Sequence, residues 1–408
     1  MIYKTLITLL FLLPVANFSF LYMCTAFLFC FSILVVSRKI NFSQILTSSL
    51  IVCFWGIYST AISINYSDLG SLKEFLKILL VFSLFWSSYN LSISYKDLSF
   101  AIKIYVYIDC LVSLLQFIHF ETAIMNLISS HYHTYNHAST ALTLGSVRAL
   151  GLQPSPGQHG VVSLLLFIFF IVRVFNEKTY LSDKLALICA LFSLILSQSK
   201  TSYAAFLFFL IYFVLLTIAY GGWRQKSIMI LGSFFSVLFV YLNWEKIVDS
   251  LYSLKRLSNW LNGGPIVTSL AHRLELWHQQ IDAYLASPTI SLVFGPGRSL
   301  LSSIGTYNNS FDNDFVYILI TFGLLGVSLF IFSLVISVYF TTLKYKSLST
   351  LELQFYFIMI GSIFTGMGLD TISDVKVLTL ISILMSVMMS ENRTLSRSTN
   401  KNLRSTRW

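Results

Sequence analysis

"FVYILITFGLLGVSLFIFSLVISVYF", residues 315–340, runs for 26 residues without a charged side chain. About 20 apolar residues carry an α-helix across the hydrocarbon core of a bilayer. In that medium every backbone N–H and C=O must be paired within the segment, so a lone run of this kind has to be helical. The stretch therefore reads as a membrane-spanning helix, and the rest of the chain repeats the pattern. Comparable windows fall at approximately 4–18, 20–36, 44–63, 73–90, 98–119, 160–175, 184–198, 202–220, 227–244, 314–340, 353–369 and 373–390. The first and seventh are short enough to be partly re-entrant. The predicted fold is an all-α polytopic membrane protein of about twelve transmembrane helices, a single integral domain over residues 1–408.

Composition agrees. Of 408 residues, 56% are hydrophobic and only 11% charged, against roughly 25% charged in soluble domains. The net charge of +10 comes from short loops such as "SRKINFS", "NEKTYLSDK" and "TTLKYKSLS" and from the tail "ENRTLSRSTNKNLRSTRW". With twelve spans these basic segments share one side, which the positive-inside rule makes cytoplasmic, together with both termini. No loop on that side is long enough to form a nucleic-acid-reading surface, which excludes that class of partner. The first twenty residues, "MIYKTLITLLFLLPVANFSF", lack a small-x-small cleavage site and precede a second apolar run. They predict a retained first span. Cys24, Cys30, Cys53, Cys110 and Cys189 all lie inside apolar runs, so no disulfide framework is indicated.

Two long loops fall on the opposite, outer face, at 120–159 and 245–313, and all seven histidines lie in them or at their edges. Either the loops simply accept what spans exclude, or the histidines serve the outer face. The larger loop contains two amphipathic helical stretches separated by the breaker "NGGP". In the second, Arg273, Trp277, Gln280 and Tyr284 share one stripe, and such a helix would form a lid on the bundle or lie on the membrane surface.

Four stretches concentrate chemistry: "SVRALGLQPSPGQHG" (146–160), "LSQSKTSYAAF" (196–206), "HRLELWHQQ" with "FGPGRS" (272–299), and "SFDNDFVYILITFGLLG" (310–326). Arg148 precedes a glycine and two prolines that stiffen the loop. Its planar guanidinium suits phosphate oxygens, although an arginine at the interface also snorkels. Lys200 reads as a specific cation or as a solvated loop lysine. Arg273 and Arg298 flank the lid helix, and Arg298 follows a glycine-rich turn. Asp312 and Asp314 are open to three readings: metal ligands, one of them a general base on a hydroxyl, or helix-start acids complementing the dipole. His131, His133 and His137 in "HYHTYNH" read as polar loop surface rather than as a metal site, and no metal or other cofactor is expected.

These four stretches, in this order, resemble the motifs of the O-antigen ligase and polymerase superfamily. "RLELWHQQIDAYLASPTISLVFGPG" is similar to its Arg-x-x-x-Trp helix with a following glycine-rich turn, and "LSQSKTS" to its Ser-(Arg/Lys)-(Gly/Thr/Ser) span start. "DNDFVYILITFGLLG" is similar to its (His/Asp)-Asn-x-(Tyr/Phe)-Leu…Gly-Leu-x-Gly helix, and "RALGLQPSPGQHG" to its Arg-x-x-Gly-x-x-x-x-Pro loop. The first five spans match in hydropathy alone. The resemblance implies a glycosyltransferase of the bacterial inner membrane that acts at the periplasmic face on undecaprenyl-diphosphate-linked oligosaccharides. Ligases of the superfamily usually carry histidine before the asparagine where this chain has Asp312, a departure that favours the polymerase.

On that resemblance Arg148 and Arg273 would clamp the departing diphosphate and Asp312 would orient or deprotonate the acceptor hydroxyl. Lys200, Arg298, Trp277, Tyr284, His159 and Asn313 would contact substrate. Membrane lipids and a polysaccharide chain-length regulator are the further partners implied. A ligase transferring glycan to the lipid A core, or a flippase or other carrier, remains the alternative. Twelve spans with both ends inside also suit transporters, but no repeat relates the halves, and Asp109 is the main ionisable residue in mid-span.

Overall fold

The computed structural model describes residues 2–15, 20–36, 42–91, 93–118, 123–133, 148–177, 179–223, 225–227, 230–232, 268–303, 313–369, 371 and 374–405. Among these the chain is helical, with no strand. In chain order the helices are α1 (Ile2–Leu12), α2 (Phe20–Val36), α3 (Phe42–Asn65), α4 (Gly70–Asn90), α5 (Tyr95–Phe117), α6 (Ala123–Tyr132), α7 (Pro156–Asn176), α8 (Leu181–Ser197), α9 (Lys200–Tyr220), α10 (Thr268–Leu285), α11 (Thr289–Phe294), α12 (Ser299–Ser303), α13 (Asp314–Leu343), α14 (Thr350–Gly366) and α15 (Val375–Ser405). Among the described residues α5, α7, α9 and α13 are long and apolar enough to cross a membrane, which makes this an all-α membrane protein. Most of the expected window 227–244, and the first amphipathic stretch of the 245–313 loop, lie outside the described residues.

Helix α7 is the hub. Every residue from His159 to Val172 is buried, and it packs against α8, α9 and α14. That position explains a helix apolar on all sides, which needs protein around it or lipid around it. Helices α2, α9 and α13 show the second case, turning Phe27, Phe208, Ile211, Leu329 and Phe332 outward. Local signals set the helix starts. Pro156 opens α7, where its missing N–H is not needed, and Ser155 Oγ accepts from Gln158 N at 3.2 Å. Asn313 caps α13, its Oδ1 accepting from Phe315 N at 2.8 Å. A reciprocal box between Ser349 and Glu352 starts α14.

One end of the bundle is fastened by charge. Asp183, at the start of α8, meets Lys103 of α5 at 2.6 Å and Arg173, at the end of α7, at 3.3 Å. An acid at a helix N-terminus and a base at a C-terminus both complement the helix dipole. The opposite end of α7 faces the motif loops described below.

The segment α10–α12 docks on this scaffold through glycine backbone. Helix α13 is broken at Gly323, where φ is 64° and ψ −161°, a conformation essentially restricted to glycine. In an unbroken helix the carbonyl of Ile320 would accept from residue 324. Here Gly297 N donates to it at 2.8 Å. The "FGPG" turn thus replaces part of the helix ladder of α13. Arg298, next in the chain, forms an ion pair with buried Glu74 of α4, which also accepts from Lys77 at 2.9 Å and from the Tyr317 hydroxyl at 2.8 Å. Tyr58 of α3 adds a hydrogen bond to Gly295 O at 2.8 Å.

One expectation needs correcting. The 120–159 loop holds helix α6, and His133 just beyond it is buried rather than on a polar loop surface. His131 is exposed, and His137 lies outside the described residues.

Candidate functional site

The four motif stretches meet around a short turn that the sequence reading passed over, Gly366–Leu369 at the end of α14. From the lid, Arg273 Nη1 donates to Gly368 O at 3.2 Å. From the start of α9, Thr201 Oγ1 donates to the same carbonyl at 3.5 Å. Asn313 Nδ2, at the cap of α13, donates to Met367 O at 3.0 Å, and Asp314 lies directly against Gly366. Gly157, in the first turn of α7, abuts Leu369. Three helix N-termini, those of α7, α9 and α13, therefore converge on four consecutive residues.

The Arg148 loop joins them through the α8–α9 turn. Ala149 N donates to Leu196 O at 2.9 Å, and Gly160 packs against Ser197, Ser199 and Ser202. The turn is sharp because Gln198 adopts the left-handed conformation (φ 47°) as the C-cap of α8, after which Ser199 caps α9. Half-buried Arg148 lies close enough to Tyr203 to act electrostatically on its phenol. Lys200, the first residue of α9, is exposed at this end. Helix N-termini carry a partial positive charge and unpaired N–H groups. Three of them, with Arg148, Lys200 and Arg273, gather positive charge at this end of the bundle, offset in part by buried Asp314 at the first position of α13.

The other candidates are placed as follows. Arg298 is held in the Glu74 ion pair. Tyr284 is buried, its hydroxyl bonded to Leu292 O, and it packs with Val316, Tyr317 and Ile320 against α13. Trp277 is partly buried against the same cluster. Gln280, which completes the stripe with Arg273, is buried, and among the described residues neither of its amide atoms, nor Trp277 Nε1, has a hydrogen-bond partner. Asp312 lies outside the described residues. Asp314 is buried at the start of α13.

His159 is wholly buried one turn into α7. Its Nε2 lies 3.0 Å from Ser113 Oγ and its Nδ1 3.5 Å from Asp109 Oδ2. This imitates a Ser-His-Asp triad but does not act as one. The Ser113 hydroxyl donates to Asp109 O at 2.7 Å and the serine is wholly buried, so no substrate carbonyl reaches it and its proton is already engaged.

Residues 185–331 match the O-antigen ligase family model. That stretch carries the α8–α9 turn, the lid helix with its glycine-rich turn, and the Asn313 helix start, so the resemblance drawn from those motifs is shown there. The match supports a ligase- or polymerase-type role in O-antigen processing, with glycosyltransferase-like activity, for an apolar helical chain of the membrane. The Arg148 loop lies outside it and joins the site by contact alone. No curated protein matches the chain closely enough to count as a relative.

Several residues that build the site were missed in sequence. The Gly366–Leu369 turn, "GMGL", carried a helix-ending signal in its two glycines. Gln116, His133 and Lys376, which hold the Arg148 loop, gave no local signal beyond being polar groups in or beside apolar runs.

Proposed function

We propose that the chain polymerises lipid-diphosphate-linked oligosaccharide repeats of O-antigen or a related surface polysaccharide at the periplasmic face of the inner membrane. The observation carrying this reading is the convergence of three helix N-termini and Arg273 on one short turn, with Lys200 next in the chain to Thr201 there and the Arg148 loop paired to the neighbouring α8–α9 turn. Such an array suits a leaving diphosphate, whose charge grows as the anomeric bond breaks, because the donors are already oriented. Arg273 and Arg148 are the diphosphate ligands, and Lys200 raises the local positive potential. Undecaprenyl diphosphate departs with the bonding electrons. The acceptor hydroxyl attacks the anomeric carbon and gives its proton to Asp312, next to the Asn313 cap. Arg298 and Tyr284, occupied by Glu74 and by α13, hold the lid rather than the sugar. The reading takes the chain as about twelve spans with both termini cytoplasmic, an arrangement in which the site would face outward and a chain-length regulator would act on the same side.

Within the lid, Trp277 and Gln280 are the groups assigned to the glycan, because their polar atoms lack partners among the described residues. Leucine at position 280 distinguishes the two roles of a buried amide. An unpaired buried amide is costly, so apolar replacement without function would be neutral or stabilising. We expect Gln280→Leu to lower polymer output about tenfold or more, the loss of one or more hydrogen bonds made in the transition state, without lowering protein level. Unchanged output with a raised melting temperature would remove Gln280 from the glycan site.

The ligase is the second reading, favoured by the description of the matched family. A deletion strain separates them. Loss of a polymerase leaves single repeats on the lipid A core. Loss of a ligase leaves bare core, with polymer retained on its lipid carrier. Repeats trapped on the cytoplasmic side would instead identify a flippase and sink the proposed reading.

A further inference from the structure

The Arg148 loop is held by side chains from α5 and α15, by backbone of α8 and by His133, the residue that follows α6. Leu150 N and Gly151 N both donate to Gln116 Oε1 at 2.8 Å, and Leu152 N donates to Asp109 Oδ1 at 2.8 Å. Gln153 N closes a turn onto Leu150 O at 3.0 Å, and its side chain donates to the Tyr105 hydroxyl at 2.7 Å. With Ala149 N on Leu196 O, five consecutive N–H groups are paired.

The carbonyls are met as well. Gly151 O lies 3.0 Å from His133 Nε2 and accepts from Gln116 Nε2 at 3.4 Å. A carbonyl only accepts, so the shorter contact assigns the proton to His133 Nε2, with the Gln116 amide nitrogen 3.3 Å from the same atom and donating to Gly151 O. Burial pushes this imidazole below its ordinary pKa and keeps it neutral near pH 7. Leu152 O accepts from Lys376 Nζ at 2.8 Å. Gly151 itself has φ 54° and sits between the Asp109 carboxylate and the His159 ring, with no space for a side chain.

A buried backbone segment needs partners for its polar groups, but packing and water usually supply them. Here a lysine and an aspartate are buried inside a membrane protein for the purpose. Lys376 is wholly enclosed, its ammonium 5.2 Å from the Tyr105 ring and 5.6 Å from the Tyr132 ring, with Asp109 and Asp374 as the neighbouring charges. Intramembrane ions are costly and mark functional places.

We infer that Gln116, with Asp109 and Lys376, is a positioning residue for the transfer reaction: it fixes residues 149–153 and through them aims the Arg148 guanidinium at the diphosphate. This rests on the anion-site reading above. The amide of Gln116 is suited to the task because it presents an acceptor to two N–H groups and a donor to the carbonyl between them. Aspartate or leucine at that position lacks one or both functions.

The test uses the full-length protein reconstituted in vesicles with a lipid-diphosphate-linked repeat, comparing wild type, Arg148→Lys, Arg148→Ala, Gln116→Leu, the double variant of Arg148→Lys with Gln116→Leu, and Gln116→Glu. Gln116→Leu leaves two buried N–H groups unpaired and is expected to lower output about 30-fold or more. Because it acts through Arg148, the double variant should be no worse than the poorer single variant, the non-additivity expected of coupled residues. Gln116→Glu adds a pH signature. Its neutral acid matches the amide, one oxygen accepting and the hydroxyl donating. Its ionised form sets a second negative oxygen against Gly151 O and beside His133 Nε2, 3.3 Å from the present amide nitrogen, where it competes with that carbonyl for the imidazole proton. Output relative to wild type should therefore be high at low pH and fall as pH rises through about 6–9, where a buried glutamate ionises.

Wild-type output from Gln116→Leu, or losses that multiply in the double variant, would overturn the inference. If Gln116→Leu fails to enter the membrane, the pH ratio for Gln116→Glu decides alone, and a flat ratio counts against the role. Full output from Arg148→Lys and Arg148→Ala would overturn the anion-site reading itself, a result distinct from failure of Gln116 alone.

Discussion

Replacing Arg273 with alanine is expected to eliminate long-chain polysaccharide from the cell surface while the protein remains in the membrane at its normal level. Arg273 reaches from the lid to Gly368 O, the carbonyl that Thr201 of α9 also meets, and so bridges lid and turn. Removing one preoriented donor from a developing oxyanion slows reactions by about 10²–10³-fold. Loss of that order would leave single repeats as the visible product. Lysine should restore only part of the activity, since it keeps the charge but not the planar fork. Band patterns of extracted lipopolysaccharide, scaled to immunodetected protein, measure this. Normal ladders from Arg273→Ala would remove the lid arginine from the chemistry.

The second large effect falls on Gly323. Alanine there meets a backbone conformation costing about 1–3 kcal/mol for a residue with a side chain, and its Cβ overlaps the backbone of Val293 and Gly295. Both faults are relieved by straightening α13. Straightening expels Gly297 N from Ile320 O and with it the lid that carries Arg273. Gly323→Ala should therefore abolish output and make residues 268–303 sensitive to protease added from the outer side. Gly232→Ala, with nothing among the described residues within 4 Å of the added carbon, is the control and should behave as wild type. If Gly323→Ala keeps both output and protease resistance, the lid is not held by the break in α13.

Much of this was legible in sequence because bilayer physics acts locally. The window at 314–340 became Asp314–Leu343, 160–175 became Pro156–Asn176 and 202–220 became Lys200–Tyr220. Hydropathy also reveals little about which helix is central. Helices α7 and α13 are similarly apolar, yet one is enclosed by protein and the other turns Leu324, Leu329 and Phe332 outward. The stripe Arg273–Trp277–Gln280–Tyr284 was readable from helical spacing, but its division of labour was not. Tyr284 and Arg298 are bonded to Leu292 O and to Glu74, and neither a backbone carbonyl eight residues on nor an acid in α4 is marked by the helical spacing of the stripe. His133 looked like loop surface because its partner, Gly151 O, lies 18 residues away and no local pattern announces it. The Gly366–Leu369 turn has no side chain that advertises chemistry. Its contribution is two carbonyls and room.

The decisive measurement is a structure of the full-length protein with undecaprenyl diphosphate bound. The diphosphate is expected within hydrogen-bonding distance of both the Arg148 and Arg273 guanidinium groups, beside residues 366–369 and the N-terminus of α9. A diphosphate seated elsewhere, with either arginine too far away to touch it, would contradict the proposed transfer site.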